Sequence, residues 1–157
     1  MDLKELYQDI ILEHGKNPRN FGKCDGYNRE AKGHNPLCGD QVQVYIKLDV
    51  NNRVEKLTFE GSGCAISIAS TSIMTELVKG RPFKVAKNIV NDFLNMIKTG
   101  SEMQTNQLTE DQKIKIMSLS GVKQYPMRVK CATLSWHTLV SAMDGKNKKI
   151  NTEVMDQ

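Results

Sequence analysis

Val42, Val44, Ile46, Leu48 and Val50 alternate with Gln41, Gln43, Tyr45, Lys47 and Asp49. A helix would scatter that apolar set around its circumference, whereas a strand puts it on one buried face and the polar set on a wet one. Asn51-Asn52 reads as a tight turn, and Val54, Leu57 and Phe59 lie on the returning strand. This stretch therefore predicts a β-hairpin. A short third strand is expected near Tyr27–Ala31, inside a stretch of glycine, proline and asparagine over residues 16–40 that is otherwise mostly loop.

The remainder reads as helix. Leu3, Leu6, Tyr7, Ile10 and Ile11 predict an amphipathic helix over 3–14, stopped by Gly15 and Pro18. Gly61-Ser62-Gly63 ends the hairpin and releases a helix from about Cys64 to Lys79, with Gly80 as its stop. The early part of that helix holds small or β-branched residues from Ala65 to Ser72, which suits close packing against a sheet. Val85, Ile89, Val90, Phe93 and Ile97 mark a helix from Pro82 to Gly100. Thr109-Glu110-Asp111-Gln112 has the form of a capping box and predicts a short helix over Glu110–Ser118. Tyr125-Pro126 predicts an extended entry to a last helix that begins near Cys131 and ends at Gly145, followed by a frayed tail over 146–157. The expected class is α+β: a small three-stranded antiparallel sheet packed against several helices. With no repeat and no linker, residues 1–157 read as a single domain.

Charged residues at 25% and apolar residues at 39% describe an ordinary globule. The net charge of +4 owes much to Lys146, Lys148 and Lys149, which is too scattered to indicate nucleic-acid binding. No run approaches a membrane span, and Met1-Asp2-Leu3-Lys4-Glu5 lacks an apolar signal core, so the expected location is cytoplasmic. Thiols stay reduced there, and cysteines read as metal-binding or catalytic before they read as disulfides.

Of the four cysteines, Cys24 lies in a loop without a partner spacing and reads as a bystander. Cys38 and Asp40 are separated only by Gly39 on a loop rim; Cys64 and Cys131 each read as first-turn helix residues. A helix N-terminus favours thiolate over thiol, and the glycine leaves Cys38 mobile. Three thiolates and a carboxylate suffice to close a tetrahedral site around Zn²⁺. Such a site carries a net charge of −2, which Arg128 and Lys130 could offset from beside Cys131. At this level the site can be structural, a cradle for a cluster, or a sulfur-handling centre. His14, at a helix end where a cation suits the dipole, His34 in a loop and His137 in the last helix all read as structural.

Three segments carry a resemblance: Asn35-Pro36-Leu37-Cys38-Gly39-Asp40, Phe59-Glu60-Gly61-Ser62-Gly63-Cys64-Ala65, and Arg128-Val129-Lys130-Cys131-Ala132. Their order and content resemble the three cysteine motifs of the U-type iron–sulfur cluster assembly proteins. Within that group the chain resembles the SufU branch more than IscU. IscU-type proteins carry histidine before the third cysteine, where this chain has Lys130, and the extra helical stretch around 100–120, between the second and third motifs, is SufU-like. The resemblance implies zinc on Cys38, Asp40, Cys64 and Cys131. It also implies a zinc-dependent sulfurtransferase role, in which Cys38 takes persulfide sulfur from a PLP-dependent cysteine desulfurase of the SufS type. Arg128 would neutralise the site or orient the sulfur, and SUF scaffold proteins would be downstream partners. One alternative is a scaffold for a labile [2Fe–2S] cluster on the same ligands. Another is a structural zinc module, against which Asp40 argues, because structural sites close with Cys and His.

Overall fold

The alternating stretch becomes the middle of a sheet. In the computed structural model, which describes residues 2–103, 105–145 and 150–151, β1 (Arg29–Asn35), β2 (Asp40–Leu48) and β3 (Val54–Ser62) run antiparallel in the order β3-β2-β1. A two-residue β4 (Ile150–Asn151) lies parallel to the outer edge of β1. The rest of the tail expected to fray, 146–149 and 152–157, lies outside the described residues. Val42, Val44, Ile46, Leu57 and Phe59 are buried as the period of two requires.

Two details of the hairpin differ from expectation. Val50 is fully exposed, because β2 ends at Leu48 after a register shift. The turn is also wider than Asn51-Asn52: the Asp49 carboxylate accepts hydrogen bonds from the Asn51 and Arg53 backbone N–H groups, both at 2.9 Å, and Asn52 takes a φ of 60°. A short acidic side chain bonding its own backbone replaces the two-residue turn. The third strand is longer and later than Tyr27–Ala31, and this matters because β1 delivers the chain to Cys38.

Helix α1 (Leu3–Lys16) is capped by Asp2, whose carboxylate accepts from the Glu5 N–H at 2.9 Å. It runs through Gly15, which lies against Ala65 of the next helix and does not terminate α1. The small residues of α2 (Ala65–Val78) face helices. Ser70 Oγ donates to the Ala132 carbonyl (2.6 Å) and accepts from Trp136 Nε1 (2.9 Å). Trp136, on α5 (Pro126–Met143), stacks on Phe93 of α3 (Phe83–Thr99) with ring centroids 3.9 Å apart. The expected capping box is present at the start of α4 (Glu110–Leu119), whereas the described residues of 100–108, all but 104, are not helical. The Arg81 guanidinium ties that stretch to α2 by donating to the Leu77 and Gln107 carbonyls and to Gln112 Oε1.

Helix α5 lies directly on the sheet. A Cβ at Gly33 of β1 would overlap the Thr138 hydroxyl and come within 3.0 Å of Leu134, so only glycine admits the helix at this depth. Arg29 Nη1 donates to the Met143 carbonyl at 2.6 Å and fastens its far end. No helix among the described residues is long and apolar enough to cross a membrane.

His14 departs from its sequence reading as a cation at a helix end. It is 2% exposed, and its Nδ1 lies 2.8 Å from Ser72 Oγ. Ser72 Oγ also accepts from the Arg19 N–H at 2.8 Å, and its own proton is available to Nδ1 of a neutral ring. Burial, with the Arg19 and Lys115 charges, holds His14 down to about 4 against the opposing pull of Glu76 and Glu13. A depressed histidine contributes stability in full above the unfolded value of 6.5, and loses it as pH falls towards 4. Stability measured by urea unfolding should therefore fall by about 3 kcal/mol over that window. His14→Gln should flatten this part of the profile; parallel profiles for variant and parent would refute the assignment.

Candidate metal centre

Asn35 and Asp40 are register partners that close the β1–β2 hairpin, and its loop is Pro36-Leu37-Cys38-Gly39. Gly39 has a φ of 71° and turns the chain back into β2. Cys38 is thus an exposed thiol on a short loop whose two feet are strand residues. The lower foot is rigid. Asp40 has no exposed surface, and its Oδ1 accepts from the Cys64 backbone N–H at 2.8 Å. Its Oδ2 faces Asn35 Nδ2 at 3.4 Å and Cys64 Sγ at 3.7 Å. Gly63 makes this seat available: its φ is 132°, and a Cβ there would overlap the Asp40 carboxylate.

Cys64 is the N-cap residue of α2. Cys131 is not at a helix start, contrary to expectation, since α5 begins at Pro126 and Cys131 sits in its second turn. The restriction that proline imposes on its predecessor falls on the N-cap Tyr125, and Pro126 itself occupies the first helical position. The helix-end argument for a thiolate therefore applies to Cys64 alone. The Cys64 thiol is drawn down to about 7, chiefly by its hydrogen bond with Cys131 and then by the Ser67 and Ile66 N–H groups, against burial and the Asp40 charge. Cys131 is pushed up by the same bond to Cys64, then by burial, Cys38 and Asp40.

The ligand atoms of Cys38, Asp40 and Cys131 all lie within 4.8 Å of one another, with the Cys38 and Cys131 sulfurs 3.3 Å apart. Donors around a tetrahedral Zn²⁺ with 2.3 Å zinc–sulfur bonds stand about 3.8 Å apart. The three are thus preassembled at nearly that spacing, and Cys64 Sγ adjoins them through Asp40. Two or three soft sulfurs and one hard oxygen, mostly withdrawn from water, fit Zn²⁺ or iron.

Arg128 stands one helical turn before Cys131. Its guanidinium packs over the Tyr125 ring, 4.5 Å from the centroid, and it lines a cleft of about 390 Å³ together with Lys4, Tyr7 and Lys123. Burial pushes the Tyr7 phenol up, while the Arg128 charge draws it down and Cys64 adds to the rise, so this phenol senses both the cation and the thiol. Cys24 is buried and donates to the Asp25 carbonyl at 3.5 Å, away from the cluster. His34 belongs to β1 rather than to a loop, and burial lowers His137.

Two residues of the site were not singled out by their sequence context. Asn35 is completely buried and reaches both Asp40 and Cys131 (Nδ2 to Sγ 3.5 Å). Gly63 acts through the atom it lacks. Their only signal in the sequence is position within the two motifs.

The family described as "NifU-like N terminal domain" matches residues 6–132. Over 138 residues the chain is 40% identical to the "Zinc-dependent sulfurtransferase SufU" of Bacillus subtilis, covering 88% of this chain and 89% of that protein. It is 33% identical over 144 residues to the "Iron-sulfur cluster assembly scaffold protein IscU" of Thermotoga maritima, covering 91% and 96%. Among solved structures, the SUF-system assembly protein of Fervidobacterium islandicum superposes with a TM-score of 0.75 at 34% identity, covering 88% of this chain and 97% of that one. A NifU-like N-terminal structure from Brucella abortus shares the fold, with a TM-score of 0.75 at 22% identity.

Proposed function

The chain belongs to the NifU-like N-terminal domain family, alongside SufU and IscU proteins, and from that premise we propose that it is a zinc-dependent sulfur acceptor in iron–sulfur cluster assembly. In this reading Cys38, Asp40, Cys64 and Cys131 hold the zinc, and a PLP-dependent cysteine desulfurase is the donor. The observation that carries it is the contrast within the cluster: Cys38 is exposed on a four-residue loop, whereas Asp40 and Cys131 are buried. One sulfur is free to travel, and its companions are fixed.

Bound zinc would keep the Cys38 sulfur ionised at neutral pH. The Cys38 thiolate attacks the outer sulfur of the donor's persulfide, forming a new S–S bond. The bond between that sulfur and the donor cysteine breaks, and the donor leaves as a thiolate. The persulfide proton stays with the transferred sulfur, so no external oxidant or reductant is needed. Gly39 supplies the backbone freedom for the loop to swing, and Asn35 and Asp40 hold its base. Arg128 and the lysines of its cleft offer positive charge to the attacking and departing thiolates and to an acidic surface on the donor. The relative from Bacillus subtilis, named as a zinc-dependent sulfurtransferase, supports this assignment.

The test is the zinc and iron content of the protein purified without added metal. One zinc per chain is expected, and Asp40→Ala should lose most of it. Incubation with a cysteine desulfurase and cysteine should then add sulfur to Cys38. Iron with acid-labile sulfide instead would favour the scaffold reading, which rests on the same donor set and on the relatives named as scaffolds. A chain that holds neither metal would overturn both.

A further inference from the structure

Asn35 has no exposed surface, yet it is a polar residue at the closing pair of a hairpin. Its amide is directed at the cluster: Nδ2 lies 3.4 Å from Asp40 Oδ2 and 3.5 Å from Cys131 Sγ. A carboxylate only accepts hydrogen bonds, so the NH₂ end must be the end that faces it, and its second proton is left for the sulfur. The cost of this orientation is visible, because Asn35 Oδ1 is buried without a partner. An orphaned buried carbonyl is unfavourable, because it has given up its hydrogen bonds to water and gained none in return. The fold accepts that cost at a position where an apolar residue of similar shape would avoid it.

We infer that Asn35 is the positioning residue of the metal centre. It locks together two ligands that come from different parts of the chain, and it sets which lone pairs they turn towards the ion. Asp40 Oδ1 is occupied by the Cys64 N–H and Oδ2 is steadied by Asn35, so the carboxylate cannot rotate. Cys131 Sγ is oriented by the other amide proton. No such bond from Asn35 reaches Cys38 or Cys64 among the described residues; Cys64 is held at the start of α2, whereas Cys38 sits on the exposed loop, which leaves the loop thiol as the ligand freest to exchange. The role is thus to fix Asp40 and Cys131 while the loop thiol exchanges. Outer partners of this kind typically matter by 10–100-fold in metal affinity.

This inference rests on the proposed metal site, and the experiment separates the two. Zn²⁺ affinity is measured by competition with a chromophoric chelator, and the visible spectrum of the Co²⁺-loaded protein is recorded, for the parent chain, Asn35→Leu and Asn35→Ser. Leucine keeps the volume and removes both donors; serine keeps a small polar group with room for a water. The expected result is about a 10–100-fold loss of Zn²⁺ affinity in Asn35→Leu and a smaller loss in Asn35→Ser. The Co²⁺ ligand-field bands should weaken and shift in the same order, a change that a merely structural role would not produce. Circular dichroism of the metal-free proteins identifies a misfolded variant; if Asn35→Leu misfolds, Asn35→Ser alone decides. Parental affinity and an unchanged Co²⁺ spectrum in the folded variants would overturn the inference. A parent chain that binds neither ion would instead overturn the metal site itself.

Discussion

Cys38→Ala is expected to reduce sulfur acceptance from a cysteine desulfurase to background while leaving the fold intact. The side chain is exposed, so its removal opens no cavity. No second thiol can take over, because Cys131 is buried within α5 and Cys64 is half-buried at the start of α2, both on elements packed into the core. Two readouts decide: desulfurase turnover in the presence of the variant, and the gain of one sulfur atom by intact-protein mass spectrometry. The variant should stimulate no turnover and acquire no sulfur, and it should still bind zinc, more weakly. Full stimulation by Cys38→Ala would end the relay proposal, whatever the metal content.

The second large effect is expected at a residue with no side chain. Gly63→Ala meets two obstacles at once. A φ of 132° is strained for any L-residue, at roughly 1–3 kcal/mol, and the added methyl would occupy the space of the Asp40 carboxylate. Displacing Asp40 also breaks its bond to the Cys64 N–H, so both ligands should move. Zinc affinity should fall by more than about 100-fold, and the metal-free protein should melt lower. Gly39→Ala is the informative control. Its φ of 71° is also strained, but a Cβ there meets nothing within 4 Å. It should lower stability by about 1 kcal/mol and leave zinc binding much closer to normal. Equal zinc loss in the two variants would show that strain, not the seat of Asp40, is what matters.

The central hairpin and the helices over Phe83–Thr99 and Glu110–Leu119 were legible because periodicity and a capping box are local signals. Strand β1 was legible only at its start, near Ala31, since Arg-Glu-Ala-Lys-Gly-His-Asn has one small apolar residue and a glycine where α5 presses on it. No alternation survives such a constraint, which comes from a helix a hundred residues away. The expected start of α5 near Cys131 lies five residues late: only Tyr125 is extended, as a pre-proline residue should be, and the helix begins at the proline itself. The cysteines and Asp40 were legible through their motifs, and the resemblance to U-type assembly proteins follows from them. That Asp40 and Cys131 share a buried amide was not, because no spacing records which side chains a tertiary contact brings together.

The bridge between Cys38 and Cys131 spans 93 residues of sequence, and this has a consequence for how the protein is made. During synthesis the hairpin loop, Asp40 and Cys64 emerge first, and for most of translation they lack the sulfur that completes their set. The centre comes into being only when α5 lies down on the sheet, its path kept clear by Gly33 and its end held by Arg29. At the proposed zinc centre, a nascent or truncated chain would therefore offer only a partial grip on metal. Tight occupancy is in effect a certificate that the last helix has docked.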